Sequence, residues 1–157
     1  MSARSGIGWD SHRLVAGRPL ILGGVTLEHD RGLDGHSDAD VLAHAVTDAL
    51  LGAAGLEDIG SHFPDTDEAF AGADSLGLLR EAVALARAAG FAPTYADTTL
   101  LMERPKLGPH RAAIGENLSG ALGAPVNVKA STGEGIGFVG REEGVAALAV
   151  VTVEGIP

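Results

Sequence analysis

The 157-residue chain has no cysteine. This excludes a disulfide framework, a thiolate nucleophile and a zinc–thiolate site, so any metal must be held by histidine and carboxylate. Positive charge is also short: 11 Lys and Arg face 21 Asp and Glu, for a formal net charge of -10. Sequence-independent binding to nucleic acid depends on Lys and Arg neutralising phosphates, and this balance argues against it. A phosphorylated ligand would have to be met by bound cations, helix N-termini or backbone amides. No apolar run approaches the roughly eighteen residues of a membrane helix. The opening MSARSGIGWD lacks the apolar core of a secretory signal. These absences read as a soluble, cytoplasmic protein with no membrane partner. No linker-like segment and no internal repeat interrupts the chain, so residues 1–157 form a single domain large enough to bury a core.

Histidine, acid and glycine are what the chain does have. The stretch Asp34 to Asp48, DGHSDADVLAHAVTD, gathers two histidines and four acids at the start of an amphipathic helix. Ser37 with Asp40 matches a capping box, and Val41, Leu42, Ala45, Val46, Ala49 and Leu50 supply a buried face. Asp40, His44 and Asp48 follow at helical spacing and form one polar stripe off that face. The stripe is either a solvated surface on which carboxylates hold a histidine, or part of a site.

From Arg4 to Leu14, Ile7, Trp9 and Ser11 alternate with Gly8, Asp10 and His12. In a strand, Asp10 and His12 share a face two residues apart, which is chelating geometry, although a solvent-facing pair has the same spacing. Leu20 to Leu27 reads as a second strand interrupted by Gly23 and Gly24. The helix after Asp34 ends near Gly52 or Gly55. Gly55 to Asp67 is a loop whose Asp58, Asp65 and Asp67 either bind hydroxyls or make local turns. His62 has no partner at ligand spacing and reads as a surface residue. Asp74 or Ser75 caps a helix running to about Ala89.

Ala92 to Met102 is a strand, followed by the proline-shaped loop MERPKLGPH. Pro109 opens a helix that ends at Gly123. Val126 to Lys129 and Val145 to Val153 are further strands, the last apolar enough to be buried on both faces. Interleaved strands and helices predict an α+β or α/β class, with a mixed sheet covered by helices on at least one side. Between the last two strands, KASTGEGIGFVGREEG places Gly133, Gly135 and Gly137 beside Ser131 and Thr132. This is either a phosphate cradle or a flexible connection. It is not a Walker A loop, because the lysine precedes the glycines. Glu134 would need a divalent cation between itself and any phosphate.

Taken together, several ordered motifs resemble the 2-C-methyl-D-erythritol 2,4-cyclodiphosphate synthase family along nearly the whole chain. They are GWDSH at 8–12, GHSDADVLAH at 35–44, TDALLGA at 47–53, DIGSHFPDTD at 58–67, NVKASTGE at 127–134 and GFVGR at 137–141. The resemblance implies a zinc ion held by Asp10, His12 and His44, with Ser11 beside them at the substrate. It implies a second divalent ion, Mg2+ or Mn2+, held by the substrate diphosphate and Glu134.

The reaction implied is cyclisation of 4-diphosphocytidyl-2-C-methyl-D-erythritol 2-phosphate, in the non-mevalonate isoprenoid pathway. The 2-phosphate attacks the β-phosphorus and CMP leaves, a step that rests on positioning and charge stabilisation. His36 and Thr132 match the positions that stabilise the transition state, and Ser37 is next to them. Asp58, Ile59 and Gly60, with Phe63, Pro64, Asp65, Thr66 and Asp67, match segments that bind the methylerythritol part. Met102, Glu103, Arg104, Pro105, Lys106, Leu107 and Gly108 match the cytidine segment, and Ser131, Thr132, Gly133 and Glu134 the diphosphate contact.

The family resemblance further implies a homotrimer with interfacial active sites and sheets packed around its axis. Phe138 and Arg141 match residues near a central cavity that can hold an isoprenoid diphosphate. Trp9 departs from a common phenylalanine and could narrow that cavity, whereas Gly133 and Gly135 replace bulkier residues and could leave the loop mobile. Two rival functions remain at this point. One is a metal-dependent phosphohydrolase using a metal-bound water, and the other is a non-catalytic oligomer that binds isoprenoid or nucleotide diphosphates.

Overall fold

In the computed structural model, which describes residues 2–157, the first element is a long strand, β1 (Ala3–Val15), whose two faces differ in chemistry. Gly6, Gly8, Asp10 and His12 share one face, and Ile7, Trp9 and Ser11 the other. The glycine side lies directly on helix α1 (Val41–Ala53). A Cβ on Gly6 would stand 2.1 Å from the Ala49 carbonyl oxygen, and one on Gly8 2.0 Å from that of Ala45. Only hydrogen fits at those two positions, so strand and helix meet backbone to backbone.

Strands β2 (Leu20–Leu22) and β3 (Val25–Leu27) form an antiparallel hairpin rather than one interrupted strand. The two residues between them, Gly23 and Gly24, have φ of 56° and 74°. That pattern makes the tight primed turn that matches strand twist. The short β4 (Gly32–Leu33) pairs with the end of β1.

Helix α1 starts one residue after Asp40, not after Ser37, so the expected capping box does not form. The Asp40 carboxylate accepts the Ala43 N–H at 3.1 Å, and it also accepts the Gly23 and Gly24 N–H groups at 2.8 and 2.7 Å. It therefore caps the helix and fastens the hairpin turn to it. The residue is fully buried and does not lie on a polar stripe. Burial pushes its carboxyl up to about 6, against the pull of the three backbone donors, and the nearby Asp38 charge adds to the rise.

The remaining strands and longer helices follow in the expected order, with two single-turn helices inside segments that read as loops. Helices α2 (Ile59–His62) and α3 (Ser75–Ala88, capped by Asp74) precede strand β5 (Phe91–Leu101). Then come α4 (Arg111–Leu122), β6 (Val126–Ser131), the single turn α5 (Gly137–Gly140) and β7 (Gly144–Gly155). Pro109 lies in a 3-10 turn, Gly108–His110, that leads into α4 rather than inside it. Five strands form one mixed sheet in the order β4-β1-β7-β5-β6, in which only β5 and β6 run parallel. α4 supplies the crossover that a parallel pair requires.

Helices α1, α3 and α4 cover one side of this sheet and bury Leu42, Leu50, Leu79, Leu100, Ile114, Leu118 and Leu122 completely. The class is the mixed α+β arrangement that the sequence predicts. The opposite face is open in the single chain: Ile7, Trp9, Tyr95 and Val150 are 71%, 50%, 46% and 43% exposed. Strand β7 was expected to be buried on both faces; in the single chain its helix side is buried, while on the other side Ala146 is buried but Val150 and Glu154 are exposed.

Because Asn is as good a helix cap as Asp, Asp40→Asn separates capping from fastening the hairpin. The amide nitrogen would face a buried N–H of the Gly23–Gly24 turn. The expected loss is roughly 1–3 kcal/mol of stability at pH 7, read as a lower urea midpoint. An unchanged midpoint would show that the cap is its whole role.

Candidate metal centre and substrate cleft

Past the glycines, the inner face of β1 carries Asp10 and then His12, level with the first turn of α1, where His44 projects. Three ligand atoms converge there. Asp10 Oδ2 lies 2.8 Å from His12 Nε2 and 3.0 Å from His44 Nδ1, and the two nitrogens are 3.3 Å apart. Ligands about 2.0–2.2 Å from a tetrahedral zinc stand roughly 3.3–3.5 Å from one another. The triangle therefore has the size of one coordination face, slightly contracted. Among the described residues these three form the only such group of His, Cys, Asp or Glu.

The remote nitrogens of both rings fix where the protons sit. His12 Nδ1–H donates to the Asp34 carbonyl at 2.9 Å. His44 Nε2–H donates to Ser75 Oγ at 2.7 Å, with Ser37 Oγ 3.1 Å away. The Ser75 hydroxyl in turn donates to the Asp38 carboxylate, which also accepts the Ser75 N–H at 3.1 Å. Both imidazoles thus turn an unprotonated nitrogen toward the same carboxylate oxygen. Such an arrangement is repulsive until something positive enters it, so the donor set fits a divalent cation.

With a proton in that place instead of a cation, burial still works against a charged Asp10, but side-chain hydrogen bonds with the His12 and His44 rings outweigh it and hold the carboxyl below its usual range. Burial likewise works against a protonated His12, and the Asp10 bond outweighs it and raises the ring. A proton and a cation compete for the same place.

The helical stripe places Asp40 and Asp48 either side of His44, but neither carboxylate bonds its ring. Asp40 is committed to the hairpin turn, and Asp48 accepts the Ile59 N–H at 3.1 Å. The orienting groups are Ser75, Ser37 and, through Ser75, Asp38. Ser75 reads in sequence as an ordinary residue at a helix start. Only the docking of α3 beside the loop before α1 turns its hydroxyl to His44.

The triad forms one wall of a cleft of about 460 Å3, which Gly35, His36, Ser37, Ile59, Gly60, Phe63, Pro64 and Asp65 also line. Phe70 and Leu78 complete it and were not foreseen. Phe63 and Phe70 meet edge to face with centroids 5.5 Å apart. The loop after α2 is buckled to the loop before α1: His36 Nε2–H donates to the Asp67 carbonyl at 2.8 Å, and the Gly72 N–H donates to the His36 carbonyl at 2.8 Å.

Asp58 and Asp67 cap short turns through Ser61 N and Ala69 N, each at 2.9 Å, and Thr66 is exposed outside the cleft. His62, expected at the surface, is half-buried, and its Nε2–H donates to the Leu56 carbonyl at 2.7 Å.

A second cleft, about 250 Å3, brings Met102, Glu103 and Pro105 to Gly108 beside Ser131 and Thr132. It shares no lining residue with the first. Arg104 leaves it to pair with Glu142 at 2.6 Å. Ser11 points away from Asp10 and His12, into a small recess with Phe138 and Glu143, and Arg141 pairs with Glu143 at 3.3 Å. Trp9 stands on the open sheet face. Gly133 has a steric role in its loop: a Cβ there would stand 2.6 Å from Gly140 N, so the glycine permits a tight backbone contact.

The hydrogen bond from His44 to Ser75 makes a direct prediction. Ser75→Ala should weaken zinc binding about 10- to 100-fold, the usual cost of losing an orienting partner, measured by competition with a chromophoric chelator. Unaltered affinity would assign the orienting role to Ser37 alone.

The YgbB family model matches residues 3–154. A protein of Bordetella petrii named 2-C-methyl-D-erythritol 2,4-cyclodiphosphate synthase is 62% identical over 150 residues, which is 94% of this chain and 93% of that one. The bifunctional IspDF of Campylobacter jejuni superposes with a TM-score of 0.94 at 42% identity, covering 99% of this chain and 43% of that larger one. A CDP-bound form of 2C-methyl-D-erythritol-2,4-cyclodiphosphate synthase superposes with a TM-score of 0.88 at 44% identity, covering 96% of this chain and 100% of that one. With the match running from the first residue of β1 almost to the end of β7, the chain belongs to the YgbB family.

Proposed function

We propose that this chain is a 2-C-methyl-D-erythritol 2,4-cyclodiphosphate synthase, a single catalytic domain spanning residues 1–157. It cyclises 4-diphosphocytidyl-2-C-methyl-D-erythritol 2-phosphate and releases CMP, in the non-mevalonate isoprenoid pathway of the cytoplasm. The observation that carries the reading is the convergence of Asp10, His12 and His44, with both imidazole tautomers fixed, at the edge of a cleft that holds His36 and Asp65. The names of the relatives and the CDP-bound neighbour support the substrate class.

A 2-phosphate oxygen attacks the β-phosphorus, a new P–O bond closes the ring, and the bond to the CMP phosphate breaks. The electron pair leaves with CMP, so no protein nucleophile is needed. Zinc at Asp10, His12 and His44 would supply a Lewis acid and template for phosphate oxygens. Glu134, exposed on its loop, would hold Mg2+ or Mn2+ together with the diphosphate. His36, held by the Asp67 carbonyl, and Thr132 stabilise charge on the reacting phosphates. Ile59, Gly60, Phe63, Pro64 and Asp65 receive the methylerythritol part, and the second cleft receives the cytidine.

Within one chain the two clefts are separate, and an apolar sheet face carrying Ile7, Trp9, Tyr95 and Val150 lies open. Both features support a homotrimer in which sheets pack together and the metal half of one subunit meets the cytidine half of the next. Phe138 and Arg141 would then lie near its axis, where an isoprenoid diphosphate could bind.

Phosphorus NMR on the cytidine substrate tests the reading. Cyclic diphosphate and CMP should form together, and a strong chelator should abolish both. Release of inorganic phosphate or a linear monophosphate would instead identify a hydrolase, and binding without turnover a carrier.

A further inference from the structure

The Gly-rich connection between β6 and β7 would be expected to offer its amides to phosphate, yet the structure uses two of them internally. Gly133 N–H donates to Glu103 Oε1 at 2.8 Å, and Gly135 N–H donates to Glu103 Oε2 at 3.2 Å. Between them, Glu134 N–H donates to Thr132 Oγ1 at 3.2 Å. Three successive amides thus have partners within the chain, while the Glu134 side chain is exposed. Glu134 has φ of 54°, a left-handed conformation that most side chains avoid, and it persists only where its surroundings impose it. Glu103 imposes it by gripping the residues on either side.

The neighbours of Glu103 extend the grip. Met102 N–H donates to the Ser131 carbonyl at 3.0 Å, and Arg104 Nε–H donates to Glu142 Oε1 at 2.6 Å. Three consecutive residues of one segment therefore fasten the start, the turn and the far end of the other.

We propose that Glu103 is a positioning residue that sets the Thr132–Gly135 turn, aiming Glu134 and Thr132 at the diphosphate and its cation, instead of a residue that binds cytidine. Both of its carboxylate oxygens are taken by backbone donors, which leaves the recognition of the base to the rest of the Met102–Gly108 segment. Because that segment also lines the cytidine cleft, a nucleotide bound there rests on the same strut that aims the diphosphate loop. The proposal builds on the synthase reading and concerns a contact within one chain.

Full-length Glu103→Ala and Glu103→Gln, measured beside the parent chain, test it. In Glu103→Ala, hydrogen exchange at the Gly133 and Gly135 amides should lose its protection. The kcat should fall by about a hundredfold, the scale of a 1 Å misplacement, and the Mn2+ concentration giving half-maximal rate should rise. Zinc content and the CMP dissociation constant should stay close to those of the parent. Glu103→Gln keeps one acceptor oxygen and should recover part of both the protection and the rate.

A rise in the CMP dissociation constant with loop protection and Mn2+ dependence unchanged would overturn the proposal and make Glu103 a nucleotide contact. If the parent chain forms no cyclic diphosphate, the synthase reading fails, while exchange at Gly133 and Gly135 still decides whether Glu103 holds the turn.

Discussion

The close approach of β1 to α1 is the constraint on which the site depends. Two residues without side chains, Gly6 and Gly8, let the strand lie on the helix backbone at Ala45 and Ala49. Continued two residues at a time along the same face, the strand presents Asp10 and His12 to the first turn of that helix, where His44 waits. A side chain at either glycine would lift the strand and open a triangle whose longest edge is 3.3 Å. Packing of the core and assembly of the ligand set are one geometric event.

Electrostatics explains how a chain of net charge -10 tolerates this site. Several of the acids near it are consumed by the protein's own donors: Asp40 by three backbone amides, Asp38 by Ser75, and Asp48 by Ile59 N. What remains at the triad is a carboxylate flanked by two imidazoles whose protons are held elsewhere, with Asp65 farther along the cleft wall. This is a site for positive charge, and a polyphosphate becomes an acceptable ligand only once that charge is present.

Much of this was legible in the sequence, and what was not has identifiable causes. Strand periodicity put Asp10 and His12 on one face and helix periodicity took His44 off the apolar face, which made all three candidates, and the family resemblance joined them into one ligand set. The orienting groups were not legible, since the i, i+4 stripe of Asp40, His44 and Asp48 describes an isolated helix. It could not anticipate a Gly23–Gly24 turn docking on Asp40 or α3 docking on His44. Strand order, the hairpin at Gly23 and the open face of β7 likewise come from tertiary pairing. Gly133 shows the same limit in the other direction, because a glycine that suggests mobility also leaves room that a Cβ, 2.6 Å from Gly140 N, would fill.

The chain carries two clefts, one built around the histidines and one around the proline-shaped loop, and local hydrogen bonds fasten both. Whether the first is a cation site is the question on which the account turns. The most direct measurement is titration of the metal-free full-length chain with Co2+ while its visible absorption is recorded. The account predicts one equivalent per chain bound with the strong absorption of a four-coordinate ion, and loss of that band in His44→Ala. A weak octahedral spectrum, or binding that survives removal of His44, would contradict it.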